Sequence, residues 1–363
     1  MRLRDRVIQW TRPEKVADHT ADIAPKRGRV DHVVILDGTL SSLKIGQETN
    51  AGRVYKLLSE VMPRRRMSLY YEAGIQWTGW RQSGDVIQGR GINRQIRRAY
   101  GFLASRYRPG DRIYLIGYSR GAYAVRSLAG IIDQVGLLRA DQATVRNVTQ
   151  AYRHYQLTPG TETSASFARA HCHPGTEVEM IGVWDTVKAL GIRLPLIWML
   201  TEPKHAFHNT ELGPTIRYGF HALAMDETRD AFAPVLWSTS AQGTNRVEQV
   251  WFHGGHGDIG GQLGGFEGAR PLSNIPLVWM LEKAESCGLP LPEGWRARFP
   301  CDVAVPMVGT WKSWGMFFLL RHRRRIGLDR SEAIHPTARP FVRRTTGIGF
   351  RAGILGWWRK TPL

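Results

Sequence analysis

A short apolar run that breaks at a Gly-x-Ser-x-Gly motif is the feature that most constrains the fold of this chain. Residues Ile113 to Gly117 favour a buried strand, and the residues after Ser119 have the apolar spacing of a helix. A strand that turns this sharply into a helix strains the central serine and leaves no room for side chains two residues before and after it. Gly117 and Gly121 meet that demand, so the pattern predicts a nucleophile elbow with Ser119 at its tip.

Length and composition set the class of protein. A chain of 363 residues, 42% of them hydrophobic, is long enough for one large α/β domain with additions and is not disordered. Its three cysteines, odd in number and widely spaced, favour a reducing compartment over a disulfide scaffold. No signal peptide or membrane span is recognisable. We therefore expect a soluble cytoplasmic protein of bacterial type, open to export by a dedicated secretion system.

The net charge of +19 has two explanations. It is typical of proteins that bind an anionic partner, a membrane surface or a nucleic acid. However, 41 of the 50 basic residues are Arg and nine are Lys, a bias that a GC-rich genome produces without selection for binding. No nucleic-acid-binding module is recognisable, so we expect no specific nucleic-acid partner and favour the membrane between the two.

The order of predicted elements indicates the fold class. Strands are predicted at 30–36, 67–71, 113–118, 177–184 and 247–252, and helices at 50–62 and 92–107. Alternating strands and helices imply a mostly parallel sheet that carries its functional groups at the carboxyl ends of the strands. We expect an irregular basic arm over 1–29, an α/β catalytic domain over 30–290, and a basic, aromatic-rich extension over 291–363.

Three chemically suited residues follow predicted strands in the order Ser119, Asp185, His256. A serine hydroxyl needs a base to take its proton, and the base needs a carboxylate to orient it. This is also the chain order of the triad in α/β-hydrolases. Two alternatives stay open: Asp185 is a helix or turn cap, or His253 is the base in place of His256.

Stabilisation of a tetrahedral intermediate needs two backbone N–H donors. Arg120, directly after the nucleophile, is predicted to supply one, and Gly38 or Thr39 the other. Asp37 is then structural, holding its loop by accepting hydrogen bonds. In the rival hypothesis Asp37 joins other oxygen and nitrogen ligands around Mg²⁺ or Ca²⁺. The complete set of that hypothesis is Asp37, Asp185, Asp258 and His256.

Five blocks in one order resemble the α/β-hydrolase domain family that includes the first class of type VI secretion phospholipase effectors. The blocks start at Val34, Gly117, Gly182, Phe207 and Trp251 and are VILDGT, GYSRGAYAVRSLAG, GVWDTV, FHNTEL and WFHGGHGDIGG. The resemblance covers about residues 30 to 290.

The resemblance implies that Ser119, Asp185 and His256 match the family's catalytic triad and that the substrate is a lipid ester. It also implies a three-layer α/β-hydrolase with helical cap insertions, which we place near residues 140–175 and 190–245. Asp258 is expected to support the site, and no metal or cofactor is required. The alternatives are a non-lipid carboxylesterase and a non-catalytic interaction or assembly protein. The oligomeric state is not predicted.

The C-terminal extension places aromatic residues beside cationic ones. Trp311 to Leu320 runs directly into an Arg-rich stretch, 321–325, and Trp357 and Trp358 lie near the end. Such a composition suits the boundary of an anionic bilayer. The alternative is that the apolar residues pack onto the hydrolase core and the arginines form a solvated face.

Overall fold

The structure, a computed structural model, describes residues 16–20, 28–74, 90–187, 211–239, 244–311, 318 and 320–342. Its strands are β1 (Val16–Thr20), β2 (Asp31–Leu36), β3 (Met67–Glu72), β4 (Arg112–Tyr118), β5 (Val178–Trp184), β6 (Ile216–Ala224), β7 (Val247–Phe252) and β8 (Glu332–Ile334). Its helices are α1 (Asn50–Val61), α2 (Arg90–Arg106), α3 (Arg120–Gln134), α4 (Val145–Leu157), α5 (Glu162–His171), α6 (His256–Gly260) and α7 (Arg270–Ser286).

The strands form one sheet in the order β1-β3-β2-β4-β5-β6-β7-β8. All neighbouring pairs are parallel except β1 with β3, so the predicted α/β class is confirmed. The irregular arm predicted over 1–29 is wrong in one respect, because Val16–Thr20 adds an edge strand. At the other edge, β8 comes from the predicted extension, which is therefore part of the sheet.

Helices cover both faces of the sheet because its strands are apolar on both sides. Alternate residues of β2 divide between two cores: Val34 and Leu36 pack with α2 and α3, while Val33 and Ile35 pack with α1 and α7. These three layers match the predicted architecture. None of the helices in the described ranges combines the length and the apolar character that crossing a bilayer requires.

The predicted cap insertion over 190–245 is wrong in part. Residues 216–224 form the strand β6 between β5 and β7, at the centre of the segment that we assigned to a cap. In the other segment, α4 packs on α2 and α3, where the Tyr155 ring lies against Gly130. This helix pair lies between α3 and β5 in the chain. Residues 188–210 lie outside the described residues.

Two glycines let the elbow cross its neighbours at backbone contact. A Cβ atom on Gly121 would lie 2.0 Å from the Leu36 carbonyl oxygen, and one on Gly117 would lie 2.7 Å from that of Gly121. Neither neighbour is a flexible side chain that could move away. The start of α3 is therefore pressed against the end of β2, which brings the Ser119 turn next to the loop that follows β2.

Gly121→Ala tests this crossing. The added methyl group must displace the end of β2, so we expect a loss of at least about 2 kcal/mol in the free energy of unfolding, measured by urea denaturation. Gly101→Ala, in the interior of α2, is the matched control, since its Cβ would lie 3.8 Å from Val148 on α4, an ordinary van der Waals distance. We expect it to stabilise the protein by about 0.5–1 kcal/mol. Equal stability of the two variants would contradict the close crossing.

Candidate active site

Ser119, His256 and Asp185 form one buried chain of hydrogen bonds. His256 Nε2 lies 2.9 Å from Ser119 Oγ, and His256 Nδ1 lies 2.6 Å from Asp185 Oδ2. Ser119 is 7% exposed, His256 4% and Asp185 fully buried. The three residues follow β4, β7 and β5, so they meet at the carboxyl edge of the sheet. This arrangement can take a proton from the serine hydroxyl and hold it on the imidazole.

Ser119 is held in a strained backbone conformation, with φ 57° and ψ −120°. A non-glycine residue adopts a positive φ only where the surrounding structure enforces it. Here the Ser119 N–H donates to the Trp184 carbonyl oxygen at 3.0 Å, tying the elbow to β5. Arg120 is the first residue of α3, so its N–H has no acceptor within the helix.

The Asp185 carboxylate is bound from two sides besides His256. Oδ1 accepts the Ala224 N–H at 3.1 Å, and the Arg324 guanidinium donates to both carboxylate oxygens. Burial alone would raise the pKa of Asp185, but the charge of Arg324 and the hydrogen bonds from His256 and Arg324 outweigh it. The pKa of Asp185 is therefore held well below its usual range, and the carboxylate stays ionised.

A buried histidine supports the turn that carries Asp185. His221 on β6 is fully buried and accepts the Thr186 N–H through Nε2 at 3.1 Å. Burial lowers the pKa of His221 to about 3, so the ring is neutral near pH 7. Asp185 itself has φ 42°, a second strained position in the site. His221 therefore fixes the residue that follows a strained catalytic candidate.

The loop that carries His256 is anchored by two buried carboxylates. Glu227 Oε2 accepts the His256 N–H at 3.2 Å, and its charge is paired with Arg229 at 2.7 Å. Burial would raise the pKa of Glu227, but the hydrogen bonds and charge of Arg229 outweigh it and lower the pKa. Asp258 accepts the Gly255 N–H at 2.9 Å and the Val308 N–H at 2.7 Å.

Two aromatic rings enclose the His256 imidazole. Tyr118 stacks on it with the ring centroids 5.0 Å apart, and Phe232 lies against it at 4.8 Å. The Tyr118 ring is itself confined, because a Cβ on Gly38 or on Gly260 would lie within 3 Å of it. The imidazole is thereby restricted to the plane in which it reaches both Ser119 and Asp185.

Asp37 fixes the loop after β2, as its predicted structural role requires. Its carboxylate accepts the Gly38 N–H at 2.7 Å and the hydroxyls of Thr49 at 2.6 Å and Tyr71 at 2.7 Å. Burial outweighs these hydrogen bonds and raises the pKa of Asp37 to about 6. The Gly38 N–H is thus engaged, so Thr39 is the remaining candidate of the predicted pair for the second oxyanion donor. Gly38 leaves room for Ser119, because a Cβ atom added to Gly38 would lie only 3.3 Å from Ser119 Cβ.

The rival assignments are not supported by these contacts. His253 Nδ1 lies 2.8 Å from Asp226, and its ring stacks on Phe341 at 3.8 Å rather than reaching Ser119. The metal hypothesis needs Asp37 and Asp258 as ligands of one ion. Instead, each carboxylate accepts hydrogen bonds from its own set of protein donors. Within the described ranges, no three or more His, Cys, Asp and Glu side chains are grouped so that they could hold a metal ion.

Sequence reasoning missed four residues of the site: Arg324, Glu227, His221 and Tyr118. Glu227 and His221 belong to β6 and the loop after it, which we assigned to a cap. Tyr118 occupies the variable position of the motif itself. Arg324 was treated as one of a run of surface arginines, although its side chain is only 5% exposed. A sequence run gives no sign of which arginine turns inward.

The family model described as "T6SS, Phospholipase effector Tle1-like, catalytic domain" matches residues 31–283. The chain belongs to this family. The predicted resemblance is therefore confirmed, and the family supports a hydrolase that acts on esters. The match includes Ser119, Asp185 and His256 and ends before Arg324.

Other similar proteins are more distant. An uncharacterized protein of Saccharomyces cerevisiae, YEL023C, is 26% identical over 233 residues, 57% of this chain and 32% of its own length. The chain thus spans about a third of that curated relative. An uncharacterized Pseudomonas aeruginosa structure is 16% identical, with a TM-score of 0.45 over 82% of this chain and 50% of its own. The structure of a Tle1 effector bound to the VgrG spike is 19% identical, with a TM-score of 0.33 over 65% of this chain and 52% of its own.

The raised pKa of Asp37 predicts a pH-dependent stability. An acid whose pKa is higher in the folded state contributes stability below its unfolded value, 3.8, and loses it as the pH rises through about 6. The free energy of unfolding of the wild type, minus that of Asp37→Asn, should fall over this window by up to about 3 kcal/mol. Urea denaturation at pH 4 to 7 measures it.

Asp111→Asn is the control of opposite sign. Burial would raise the pKa of Asp111, but hydrogen bonds from His32 and from backbone N–H groups lower it. The stability that Asp111 contributes is therefore present above its unfolded pKa and lost as the pH falls. Its wild-type-minus-variant difference should rise as the pH is raised toward 3.8 and then level off, so it should not fall between pH 4 and 7 as that of Asp37→Asn does. A flat difference for Asp37→Asn would show that the Asp37 pKa is not raised.

Proposed function

We propose that this protein is a serine hydrolase that cleaves carboxylic esters of lipids, most directly the acyl esters of phospholipids. The observation that carries the proposal is the hydrogen-bonded chain from Ser119 Oγ through His256 to Asp185, at the end of a strained elbow. A buried serine in contact with an imidazole, which in turn contacts a carboxylate, is the arrangement that activates a hydroxyl nucleophile.

In the first step Ser119 Oγ attacks the ester carbonyl carbon. Its proton passes to His256 Nε2 as the C–O bond forms, and the carbonyl π electrons move onto the oxygen. Asp185 accepts a hydrogen bond from His256 Nδ1, which fixes the tautomer and stabilises the imidazolium. The N–H groups of Arg120 and Thr39 stabilise the oxyanion.

The intermediate then collapses toward an acyl-enzyme. The C–O bond to the alcohol breaks, and His256 Nε2 gives its proton to the departing alkoxide oxygen, which leaves as a lysophospholipid or other alcohol. Water enters, His256 takes one of its protons, and the hydroxide oxygen attacks the acyl carbon. Collapse of the second intermediate returns the proton to Ser119 Oγ and releases the fatty acid. No group outside the chain and its substrate is consumed except water.

The substrate class rests on the family and on the surface near the site. The phospholipase family supports a lipid ester over a soluble one. Apolar side chains on the segments that border the site are exposed: Leu40 by 56%, Trp311 by 63% and Leu320 by 43%. Exposed Arg323 and Arg325 lie on the same C-terminal segment. Apolar and cationic groups together favour contact with an anionic lipid surface.

The family match also suggests how the protein leaves the cell. Since the family is described by effectors of the type VI secretion system, we include export by such a system in the proposal. Secretion that depends on an intact type VI apparatus in the source organism is the expected observation.

Substitution of the triad tests the chemistry. Ser119→Ala and His256→Gln each remove a group that moves in the reaction, so we expect kcat on a p-nitrophenyl ester to fall by at least about 10⁴-fold. Labelling by a fluorophosphonate probe should disappear with Ser119→Ala. His253→Gln is the matched control and should label and turn over as the wild type does.

A different pattern would overturn the assignment. Loss of activity in His253→Gln but not in His256→Gln would make His253 the base. A wild type that is folded, does not label and hydrolyses no ester, with or without detergent, would favour the non-catalytic interaction protein.

The lipid preference is tested with two substrates. We expect faster hydrolysis of phosphatidylglycerol vesicles than of monomeric p-nitrophenyl butyrate, with fatty acid release followed by mass spectrometry. Leu320→Ser should lower the vesicle rate more than the soluble-ester rate because it removes an apolar contact with lipid. Leu157→Ser, at a residue 76% exposed on α4, is the control and should change neither. Activity confined to the soluble ester would indicate a non-lipid carboxylesterase.

A further inference from the structure

The C-terminal segment contributes a buried cation to the site. Arg324 Nη2 donates to Asp185 Oδ2 at 2.9 Å, while Nη1 donates to Asp185 Oδ1 and to the Ala224 carbonyl oxygen at 2.8 Å. Nη2 also donates to the Phe232 carbonyl oxygen at 2.6 Å. One guanidinium therefore joins the carboxylate, the end of β6 and the turn that packs on His256.

This contact is unlike those of the neighbouring arginines. Arg323 and Arg325 are exposed, whereas the Arg324 side chain is 5% exposed and the carboxylate it meets is fully buried. A buried charge is costly unless it is paired with well-aligned hydrogen bonds, and two parallel N–H bonds to a carboxylate are the best aligned arrangement available. The Arg-rich stretch is therefore not uniformly a solvated face or a lipid contact.

Arg324 holds the Asp185 carboxylate by both oxygens, and one of these, Oδ2, is also the oxygen that meets His256. Asp185 has a strained backbone, φ 42°, and a carboxylate group rotates readily about its last bond. The fork of Arg324 fixes both oxygens in one plane, with Oδ2 directed at His256 Nδ1. A shift of this acceptor would be passed on to His256 Nε2 and so to Ser119.

We propose that Arg324, which lies beyond the matched catalytic domain, is a positioning residue of the triad that holds the Asp185 carboxylate and offsets part of its charge. This inference rests on the proposed function and extends it. Arg324 acts through Asp185 and His256 and does not touch the substrate. The catalytic unit consequently extends past residue 290 to at least Arg324.

The offset of charge has a measurable sign. The ionised Asp185 favours a proton on His256, and the nearby guanidinium opposes it. Removing Arg324 should make His256 easier to protonate, so the acid limb of kcat/KM should move to higher pH. The titratable and charged groups that the described residues place around His256 are Asp185, Glu227, Asp258, Arg229, Arg324, Tyr118 and Ser119.

Three variants separate charge from geometry. Arg324→Met removes both, and we expect kcat/KM on p-nitrophenyl butyrate to fall on the order of 10²-fold together with the upward shift of the acid limb. Arg324→Lys keeps the charge but not the planar fork, so kcat should fall while the acid limb stays in place. Arg325→Gln removes an exposed neighbouring charge and is the matched control, expected to behave as the wild type.

A structural role alone predicts a different result. Activity would then fall only in proportion to the unfolded fraction, measured by near-UV circular dichroism, and the pH profile per folded molecule would match that of Arg325→Gln. That outcome, or a downward shift of the acid limb, would overturn the proposal. If Arg324→Met does not fold, Arg324→Lys carries the test: unchanged kcat per folded molecule would contradict the positioning role.

A second readout does not depend on activity. The His256 ring protons can be followed by NMR in ¹⁵N-histidine-labelled protein and assigned by their loss in His256→Gln. Arg324→Met, or Arg324→Gln if it folds better, should raise the pH at which His256 takes its proton. If the wild type proves inactive but the NMR signals still shift in Arg324→Met, the role of Arg324 is retained and the hydrolase is rejected. An unchanged titration in an active enzyme would reject the role of Arg324 alone.

Discussion

The close crossing of α3 over the end of β2 is the constraint on which the rest of the site depends. Gly121 lies against the Leu36 carbonyl group with no room for a side chain. A Cβ on Gly38 would lie 2.7 Å from the Tyr118 ring and 3.3 Å from Ser119 Cβ. These contacts press the turn at Ser119 and the loop after β2 together, so one backbone arrangement positions both the serine and the proposed oxyanion donors. A further close approach, of Gly74 to the Gly38 carbonyl group, holds that loop from the other side.

The second constraint is electrostatic. Asp185, Glu227, Asp258 and Asp37 are all buried at the carboxyl edge of the sheet. Buried carboxylates are tolerated only when donors or cations surround them, and each of the four is treated differently. Asp185 and Glu227 are paired with arginines and have lowered pKa values, while Asp37 and Asp258 have neutral donors and raised pKa values. The two carboxylates that contact His256 are therefore the two whose pKa values are lowered.

The sequence alone was sufficient to predict the strands that are marked by a local apolar run and the site residues that directly follow them. The strands β2 to β5 and β7 are apolar runs that end in polar or glycine residues, and their bounds were predicted to within about a residue. Ser119, Asp185 and His256 follow three of them. The strand β6 was missed because Arg217, Gly219 and His221 interrupt its apolar pattern. With β6 assigned to a cap, Glu227 could not be placed. Arg324 is a contact across 139 residues, which local periodicity does not encode.

The C-terminal segment follows from the same requirement for charge balance. Val308 donates to Asp258, Arg321 binds Thr310, and β8 extends the sheet beside β7. The segment that carries Arg324 into the site is thus fixed at both ends. Because its backbone is already ordered, less conformational entropy is lost when the long Arg324 side chain takes one position. Its guanidinium stabilises the ionised Asp185 but competes with the imidazolium for the same charge. Under the proposed mechanism, the site gives up part of the electrostatic stabilisation of His256 in exchange for a carboxylate that cannot rotate away from it.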